Sequence, residues 1–297
     1  MSTVTNGIPS FVRQNLAALR ALVAFTVIVI LYAVVVTVIA QIPGLKSKAD
    51  GSLISSNGHV VGSALIGQLF SDSKGNPLPQ YFQPRPSAAG AGYDPTLSGG
   101  ANLGPESILD VLPNPQVKGD TGKPSLLTQI CTTSMQVGQF NGVNGQRTYC
   151  TSGGVGAVLS VIYSHGLTGA ITQVVSANQE CPATPFIATY LGQQVHCASF
   201  GVNYDAGRLV PIAGPGKGAG NPVPPDAVTT SASGLDPAIS IAYANLQAAR
   251  VAKTRGMSLG TVRQLIAQNT VGRALGFMGE AYVNVLQLNI ALDQARP

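Results

Sequence analysis

The stretch ALVAFTVIVILYAVVVTVIA, residues 21–40, decides how the whole chain is organised. It contains no charged residue, and an α-helix of about 20 residues spans roughly 30 Å, the thickness of the hydrocarbon layer of a bilayer. The sequence therefore predicts one transmembrane helix, which we place at residues 21–42. Residues 1–20 precede it, and most of the polar chain follows it.

The same stretch has a second interpretation, as a cleaved secretory signal. Val38, Ile39 and Ala40 resemble the small-residue site at which such signals are cut. The apolar run is longer than the ~7–15 residues of a signal core, however, which favours a retained anchor. Arg13 and Arg20 precede the run with no acidic residue before it, which favours a cytoplasmic N-terminus with the C-terminal part outside the cytoplasm. Lys46 and Lys48 follow the run and weaken this bias.

Composition indicates a globular part and disfavours nucleic acid as a partner. The chain has 297 residues, a formal net charge of +5, 10% charged residues and no Trp. Nucleic-acid-binding domains carry clustered Lys and Arg, often beside aromatic side chains, and no such cluster occurs here. Glycine and proline are frequent but not periodic, so a fibrous protein is excluded as well.

The cysteines predict two disulfides. All four follow the apolar stretch, at Cys131, Cys150, Cys181 and Cys197, and their spacing fits no zinc-binding template. An even number of cysteines suits an oxidising compartment. Three pairings are open, and free thiols in a cytoplasmic domain are the alternative.

Several shorter patterns predict an α+β fold. One short amphipathic helix is expected at 61–70, and a loop-dominated segment at 81–105. Buried strands are expected at 155–163 and 170–176, followed by a Gly/Pro tract at 214–225. The last quarter of the chain predicts a helical hairpin followed by a strand. The first helix would be capped by Asp236, begin at Pro237 and end at Gly256. The second would be capped by Ser258 and cover residues 259–269, and the strand would cover residues 283–292.

No catalytic or metal site is predicted. The glycine-rich LSGG, residues 97–100, resembles part of a phosphate loop, but a P-loop also needs a Lys, a hydroxyl and a following helix. Gly216, Lys217 and Gly218 lack that hydroxyl. The three histidines are scattered, and Ser98 and Ser231 have no assignable base, so an extracytoplasmic hydrolase is disfavoured.

Taken together, a set of ordered blocks resembles one family, the C subunit of the Kdp potassium-transporting P-type ATPase (KdpC). The blocks cover most of residues 15–110 and 223–293. They read GSALIGQLF (62–70), YFQPRPSAAG (81–90), YDPTLSGGANLGP (93–105), VPPDAVTTSASGLDPAIS (223–240), ARVAKTRGMS (249–258) and GRALGFMGEAYVNVLQLNIALD (272–293).

The resemblance implies a single-span, non-catalytic accessory subunit in the inner membrane of a bacterium. It implies three partners: a channel-like potassium-binding subunit, a P-type ATPase catalytic subunit and a small membrane subunit. ATP and Mg²⁺ would be used in the catalytic subunit, and no cofactor is expected on this chain. The family is also described as promoting ATP binding by the catalytic subunit, but a domain outside the cytoplasm cannot reach that nucleotide.

The resemblance also implies domain boundaries and contact residues. Residues 43–112 and 223–297 would form the KdpC-like domain, and residues 113–222 a disulfide-containing insertion. Where the family commonly reads LDPHISPA or LDPDISPA, this chain has Ala238 and Ile241. The loops at 81–105 and 226–240 are expected to contact partners, although they could instead pack only the domain's own core. The partner-contact candidates are Arg85, Ser87, Tyr93, Asp94, Ser98, Gly99, Asn102, Asp236 and Ser240. A stand-alone anchored binding protein is the alternative function.

Overall fold

A computed structural model describes residues 9–89, 94–100, 102–214 and 223–295 of the chain. Its first element, helix α1, runs over Ser10–Ala40 and has no buried residue. The helix is long and apolar enough to cross a membrane, and it is the one helix among the described residues with that property. Helix α1 begins eleven positions before the expected residue 21, because Arg13, Gln14 and Asn15 extend the helix with polar residues at its start. It ends two positions before the expected residue 42.

The chain divides into two compact units, residues 1–65 and 66–297. After α1 the first unit contains a short helix, α2 (Lys46–Ala49), and an antiparallel hairpin of β1 (Leu53–Ser56) and β2 (His59–Ser63). The helix expected at residues 61–70 is wrong. Asn57 and Gly58 both adopt positive φ in the hairpin turn, which is the geometry that an Asn-Gly pair favours, and Val61 lies in β2 instead.

The second unit combines helices and two sheets, which confirms the α+β class. Its elements in chain order are α3 (Leu126–Asn141), β3 (Val158–His165), β4 (Thr168–Glu180), β5 (Thr189–Tyr190), β6 (Gln193–Ala198), β7 (Arg208–Pro211), β8 (Ala238–Ser240), α4 (Ile241–Arg255), α5 (Leu259–Gln268), β9 (Thr270–Val271), β10 (Tyr282–Asn284) and α6 (Val285–Gln294). Short 3₁₀ turns occupy Tyr204–Ala206 and Pro225–Ala227.

The larger sheet has the strand order β5-β6-β4-β3-β7. Strands β3 and β4 form a long antiparallel hairpin, and β6 runs parallel to β4. These strands confirm the two predicted at 155–163 and 170–176, with shifted bounds. Val158, Leu159, Val174 and Val175 are fully buried in succession rather than in alternation, as expected for central strands covered on both faces.

The main hydrophobic core lies between the C-terminal helices and the smaller sheet, whose order is β8-β10-β9. The predicted helical hairpin is confirmed: Ser258 caps α5, Gly256 ends α4 at φ 65°, and Val262 and Ile266 are buried. The start predicted for α4 is wrong. Ser240, not Asp236, caps it by accepting a hydrogen bond from Tyr243 N, because residues 238–240 pair with β10 as a strand.

The strand expected at residues 283–292 is also wrong. Only Tyr282–Asn284 is extended, and Asn284 then caps α6 by accepting a hydrogen bond from Gln287 N. The buried positions Val285, Leu288 and Leu292 follow the helical repeat and pack into the main core. Alternation and the helical repeat coincide over the first few apolar residues of this stretch, which is why the pattern alone was ambiguous.

The four cysteines form two disulfides, Cys131–Cys150 and Cys181–Cys197. This confirms their number and selects one of the three possible pairings. The first joins α3 to the loop before β3, and the second joins β6 to the loop that follows β4. Segment 113–222 also contributes to the main core, since Ile130 and Val137 of α3 pack against it. The domain boundaries proposed from the sequence stay a prediction.

Candidate functional site

The two loops expected to contact partners lie side by side in the structure. The Ala88 amide donates to the Ser231 carbonyl at 2.8 Å, and the Ser231 amide donates to the Pro86 carbonyl at 2.7 Å. Farther along, the Asp94 amide donates to the Ser233 carbonyl at 3.0 Å. Residues 86–89 and 94–99 therefore form one surface with residues 231–236, although the two loops are far apart in the sequence.

Arg85 and Asp236 join the two loops by an ion pair. Arg85 Nη1 lies 2.7 Å from Asp236 Oδ2, and Nη2 donates to the backbone oxygen and the hydroxyl of Thr229 at 3.2 and 3.3 Å. The two charged side chains are 27% and 31% exposed. Arg85 Nε is buried and has no acceptor among the described residues. The guanidinium is thus partly committed within the chain and partly open to solvent.

Gly99 of the LSGG stretch holds the outer part of this surface. Its amide donates to the Ala232 carbonyl at 2.8 Å, and a Cβ at this position would lie 2.6 Å from the Ala88 carbonyl oxygen. Glycine is required here because the two loops approach each other too closely for a side chain. A phosphate cradle needs free amides, and the amide of Gly99 is already bonded within the chain.

The remaining candidates divide into internal and exposed groups. Ser87 Oγ accepts from the Ala89 amide, and Ser240 Oγ donates to Asp226 Oδ1 at 2.8 Å. The Thr96 hydroxyl and amide both donate to Asp94 Oδ1, and these bonds hold the pKa of the Asp94 carboxyl below its ordinary value, against a small opposing effect of burial. Ser98 and Asn102 are exposed, whereas Tyr93 lies outside the described residues.

A cavity of about 710 Å³ opens beside Arg85. Three segments line it: the turn at 69–77, the strip Gln83–Ser87, and the face of α3 that carries Val137 and Phe140. Tyr243 lies in the wall, and burial raises the pKa of its phenol to about 12, with Asp226 adding to the rise and Arg250 opposing it. The phenol is therefore neutral at physiological pH. The cavity combines an apolar wall with the cations of Lys74 and Arg85.

Sequence reasoning missed the buried polar residues that position the segment 79–83. The side-chain amide of Gln247 exchanges two hydrogen bonds with the backbone of Gln83, and that of Asn289 does the same with Phe82. Arg250 donates to the carbonyls of Pro79 and Tyr81 and stacks on the Phe140 ring of α3. Gln247 and Arg250 stand three positions apart on the buried face of α4, a signal that was available in the sequence.

Comparison with known proteins gives the family. The family model described as "KdpC: K+-transporting ATPase, c chain" matches residues 15–110 and 210–294. Among curated proteins, the potassium-transporting ATPase KdpC subunit of Koribacter versatilis is 33% identical, with 96% of this chain and 97% of that protein aligned. The KdpC subunits of Mycobacterium bovis and Beijerinckia indica are 34% and 32% identical, over 95% and 94% of this chain.

The comparisons also locate the segment that departs from the family model. The model leaves residues 111–209 unmatched, and these residues include α3, both disulfides and nearly all of the larger sheet. The alignments with the three relatives nevertheless run through this segment, since each spans more than nine tenths of both chains. The segment is thus shared with these relatives. On these matches, the chain belongs to the KdpC family, the c chain of K⁺-transporting ATPases.

Proposed function

We propose that this chain is a non-catalytic accessory subunit of an ATP-driven potassium uptake complex, and that it stabilises the assembly of the other subunits. Helix α1 anchors it in the cell membrane of a bacterium, with the N-terminus in the cytoplasm and residues 43–297 outside. Its partners are a channel-like potassium-binding subunit, a P-type ATPase catalytic subunit and a small membrane subunit.

The disulfides support the orientation. All four cysteines follow α1, and all are paired. Disulfides persist in oxidising compartments and are rare in the cytoplasm, where thiols are kept reduced. A C-terminal part outside the cytoplasm is therefore consistent with the basic residues before the span and with the disulfides after it.

The surface formed by residues 86–89, 94–99 and 231–236 is the partner-contact site in this proposal. The observation that carries it is the Arg85–Asp236 pair, which joins two family-matching blocks while leaving both charges partly exposed. Partly exposed ion pairs add little to the stability of a single chain. Stability alone therefore does not account for the presence of the Arg85–Asp236 pair on this surface. At the rim of an interface such charges instead orient the partner and raise the association rate.

Promotion of ATP binding by the catalytic subunit is a secondary part of the proposal. With α1 spanning the membrane, only the residues before and at the start of that helix lie on the ATP side. Any influence on nucleotide affinity would then pass through the spans of the assembled complex rather than through a contact with ATP. The amide of Gly99 is bonded to the Ala232 carbonyl, which likewise argues against contact between the LSGG stretch and a nucleotide.

Assembly of the complex tests the proposal. The full-length chain would be co-expressed with the three other Kdp subunits, with the affinity tag on the ATPase subunit, and the co-purified chain would be quantified. We expect the unaltered chain to co-purify and Arg85→Ala to reduce its recovery several-fold. Exposed Arg263 on α5 provides the control, since Arg263→Ala removes one charge elsewhere on the same unit.

An exchange of charges separates a contact role from an internal one. The double variant Arg85→Asp/Asp236→Arg keeps an ion pair between the loops but inverts the surface that a partner meets. A restored thermal unfolding temperature without restored co-purification supports the contact role. Recovery of both would show that the pair acts only within the chain, and failure of the unaltered chain to co-purify would overturn the proposed function itself.

A further inference from the structure

The hairpin of β9 and β10 ends in a turn that carries three large apolar side chains. The Ala274 amide donates to the Met278 carbonyl, the Met278 amide donates back to Ala274, and both distances are 2.9 Å. Leu275, Gly276 and Phe277 form the tip between these two residues. We call residues 274–278 the apolar turn.

The apolar turn contains the two most exposed large hydrophobic side chains among the described residues of the second unit. Leu275 is 81% exposed, Phe277 71% and Met278 53%. Within the described part of residues 66–297, no other large hydrophobic side chain exceeds the exposure of Leu275 or Phe277. Single exposed leucines are ordinary in soluble proteins, but three adjacent large apolar side chains form a patch that indicates an interaction site.

Leu275 has a backbone conformation that is energetically unfavourable for a leucine. Its φ is 54°, a left-handed conformation that Asn and Gly adopt readily and Leu rarely does. Asn or Gly at this position would form the turn more easily and would not expose an apolar side chain. The identity of residue 275 therefore fits a role outside the folding of this hairpin.

The charges around the apolar turn favour a protein over a lipid surface. Arg273 is the one cation in residues 272–280, and both carboxylate oxygens of Glu280 lie within 2.9 Å of its Nη2, so the pair is neutral overall. Segments that insert into membranes combine apolar residues with Trp, Lys or Arg facing the headgroups. Phe and Met without free charge are instead typical of the cores of protein interfaces.

The apolar turn is separate from the surface around Arg85. In the smaller sheet, Tyr282 pairs with Ser240 and Asn284 with Ala238. The apolar turn precedes Tyr282, whereas Asp236 precedes Ala238, so the two features lie at opposite ends of the β8–β10 pair. They can therefore be altered independently.

We propose that the apolar turn inserts Leu275, Phe277 and Met278 into an uncharged apolar recess on another protein subunit of the complex. This inference rests on the proposed function, because it takes the recess to belong to one of the three partner subunits. The turn then acts as an anchor at one end of the domain, and the Arg85 surface makes a second contact at the other end.

Substitution of Leu275 gives the first test, with a matched control in the same chain. Leu191 is also an exposed leucine at positive φ followed by glycine, but it stands alone in the turn between β5 and β6. Leu275→Asn and Leu191→Asn both relieve the backbone, so neither is expected to lower the thermal unfolding temperature. We expect Leu275→Asn combined with Phe277→Ser to lower co-purification with the tagged ATPase subunit at least tenfold, because two large apolar side chains lose their burial, and Leu191→Asn to leave co-purification within twofold.

Photo-crosslinking identifies what the turn touches. The crosslinking residue p-benzoylphenylalanine would replace Phe277, or exposed Phe200 as the control, in the full-length chain co-expressed with the other subunits, and the adducts would be identified by mass spectrometry. Adducts with one partner subunit from position 277 but not from position 200 are expected. Adducts with lipid, or none from position 277 while the complex still co-purifies, would overturn this inference and leave the proposed function standing. If the unaltered chain does not co-purify, both fall.

Discussion

At the scale of single residues, the candidate site depends on side chains whose primary role is to bring two loops together. Gly99 allows the backbones at Ala88 and Ala232 to approach, and Arg85 joins Asp236 and Thr229. The sequence singled out Arg85, Gly99 and Asp236 as partner-contact candidates, and that role stays a prediction. The sequence could not show that they meet, because 151 positions separate Arg85 from Asp236.

Substitution of Gly99 tests the close approach of the loops. We expect Gly99→Ala to lower the free energy of unfolding by about 1–3 kcal/mol, because the added Cβ would overlap the Ala88 carbonyl oxygen. Gly153→Ala is the control, since the nearest atom to a Cβ at that loop position is 3.8 Å away and its φ is not positive. Urea denaturation would measure both variants. Equal stabilities for the two would show that the loops separate readily at Gly99.

At the scale of secondary-structure elements, two of the wrong predictions share one cause. The stretches at 61–70 and 283–292 are short and apolar, and over such lengths the helical and strand repeats overlap. What decided them lay outside the pattern: the Asn57-Gly58 turn places residues 59–63 in a hairpin, and the cap at Asn284 starts α6. The longer helices α4 and α5 were predicted well at the ends where Gly256 and Ser258 provide unambiguous signals.

The two disulfides differ in burial, and this predicts the order in which they are reduced. Cys131 and Cys150 are 0% and 2% exposed, whereas Cys181 is exposed and Cys197 half-buried. A reductant must reach a sulfur atom in order to attack it. We therefore expect mild dithiothreitol under native conditions to reduce Cys181–Cys197 at least ten times faster than Cys131–Cys150. Timed alkylation followed by mass spectrometry would measure both rates.

The same experiment in urea provides the control for this order. Once the chain is unfolded, burial no longer protects either bond, and the two rates are expected to converge. Prior reduction of Cys131–Cys150 in the folded protein would contradict the burial argument. Because that disulfide joins α3 to the loop before β3, its late reduction would also show that α3 stays packed against the main core while the outer bond opens.

At the scale of the whole molecule, the described residues begin with one long apolar helix, continue through α2 and the β1–β2 hairpin, and end in a unit that combines helices with two sheets. Helix α1 has 31 residues, about 46 Å at 1.5 Å per residue, and so exceeds the ~30 Å hydrocarbon layer. Its first turns carry Arg13 and Arg20, which suit the region of the lipid headgroups. A helix of this length is typical of a retained anchor rather than of a cleaved signal.

Retention of α1 is directly measurable. We expect the mature protein to keep residues before position 40, as N-terminal sequencing of the protein isolated from membranes would show. It should also remain in the membrane pellet after extraction with alkaline carbonate, because an inserted helix is held by its apolar surface rather than by charge. An N-terminus just after Ala40, or release into the supernatant, would identify the segment as a cleaved signal.

The sequence by itself determined the features that depend on neighbouring residues: the apolar span, the caps at Gly256 and Ser258, the α+β class and, through a set of ordered blocks, the family. The tertiary structure alone decided which distant residues meet. It paired the cysteines, joined Arg85 to Asp236, and buried Gln247 and Asn289 against the backbone at 82–83. The physical reason is that local conformation follows from steric and hydrogen-bonding preferences within a few residues, whereas loop-to-loop contacts form only once the main core has brought their ends together.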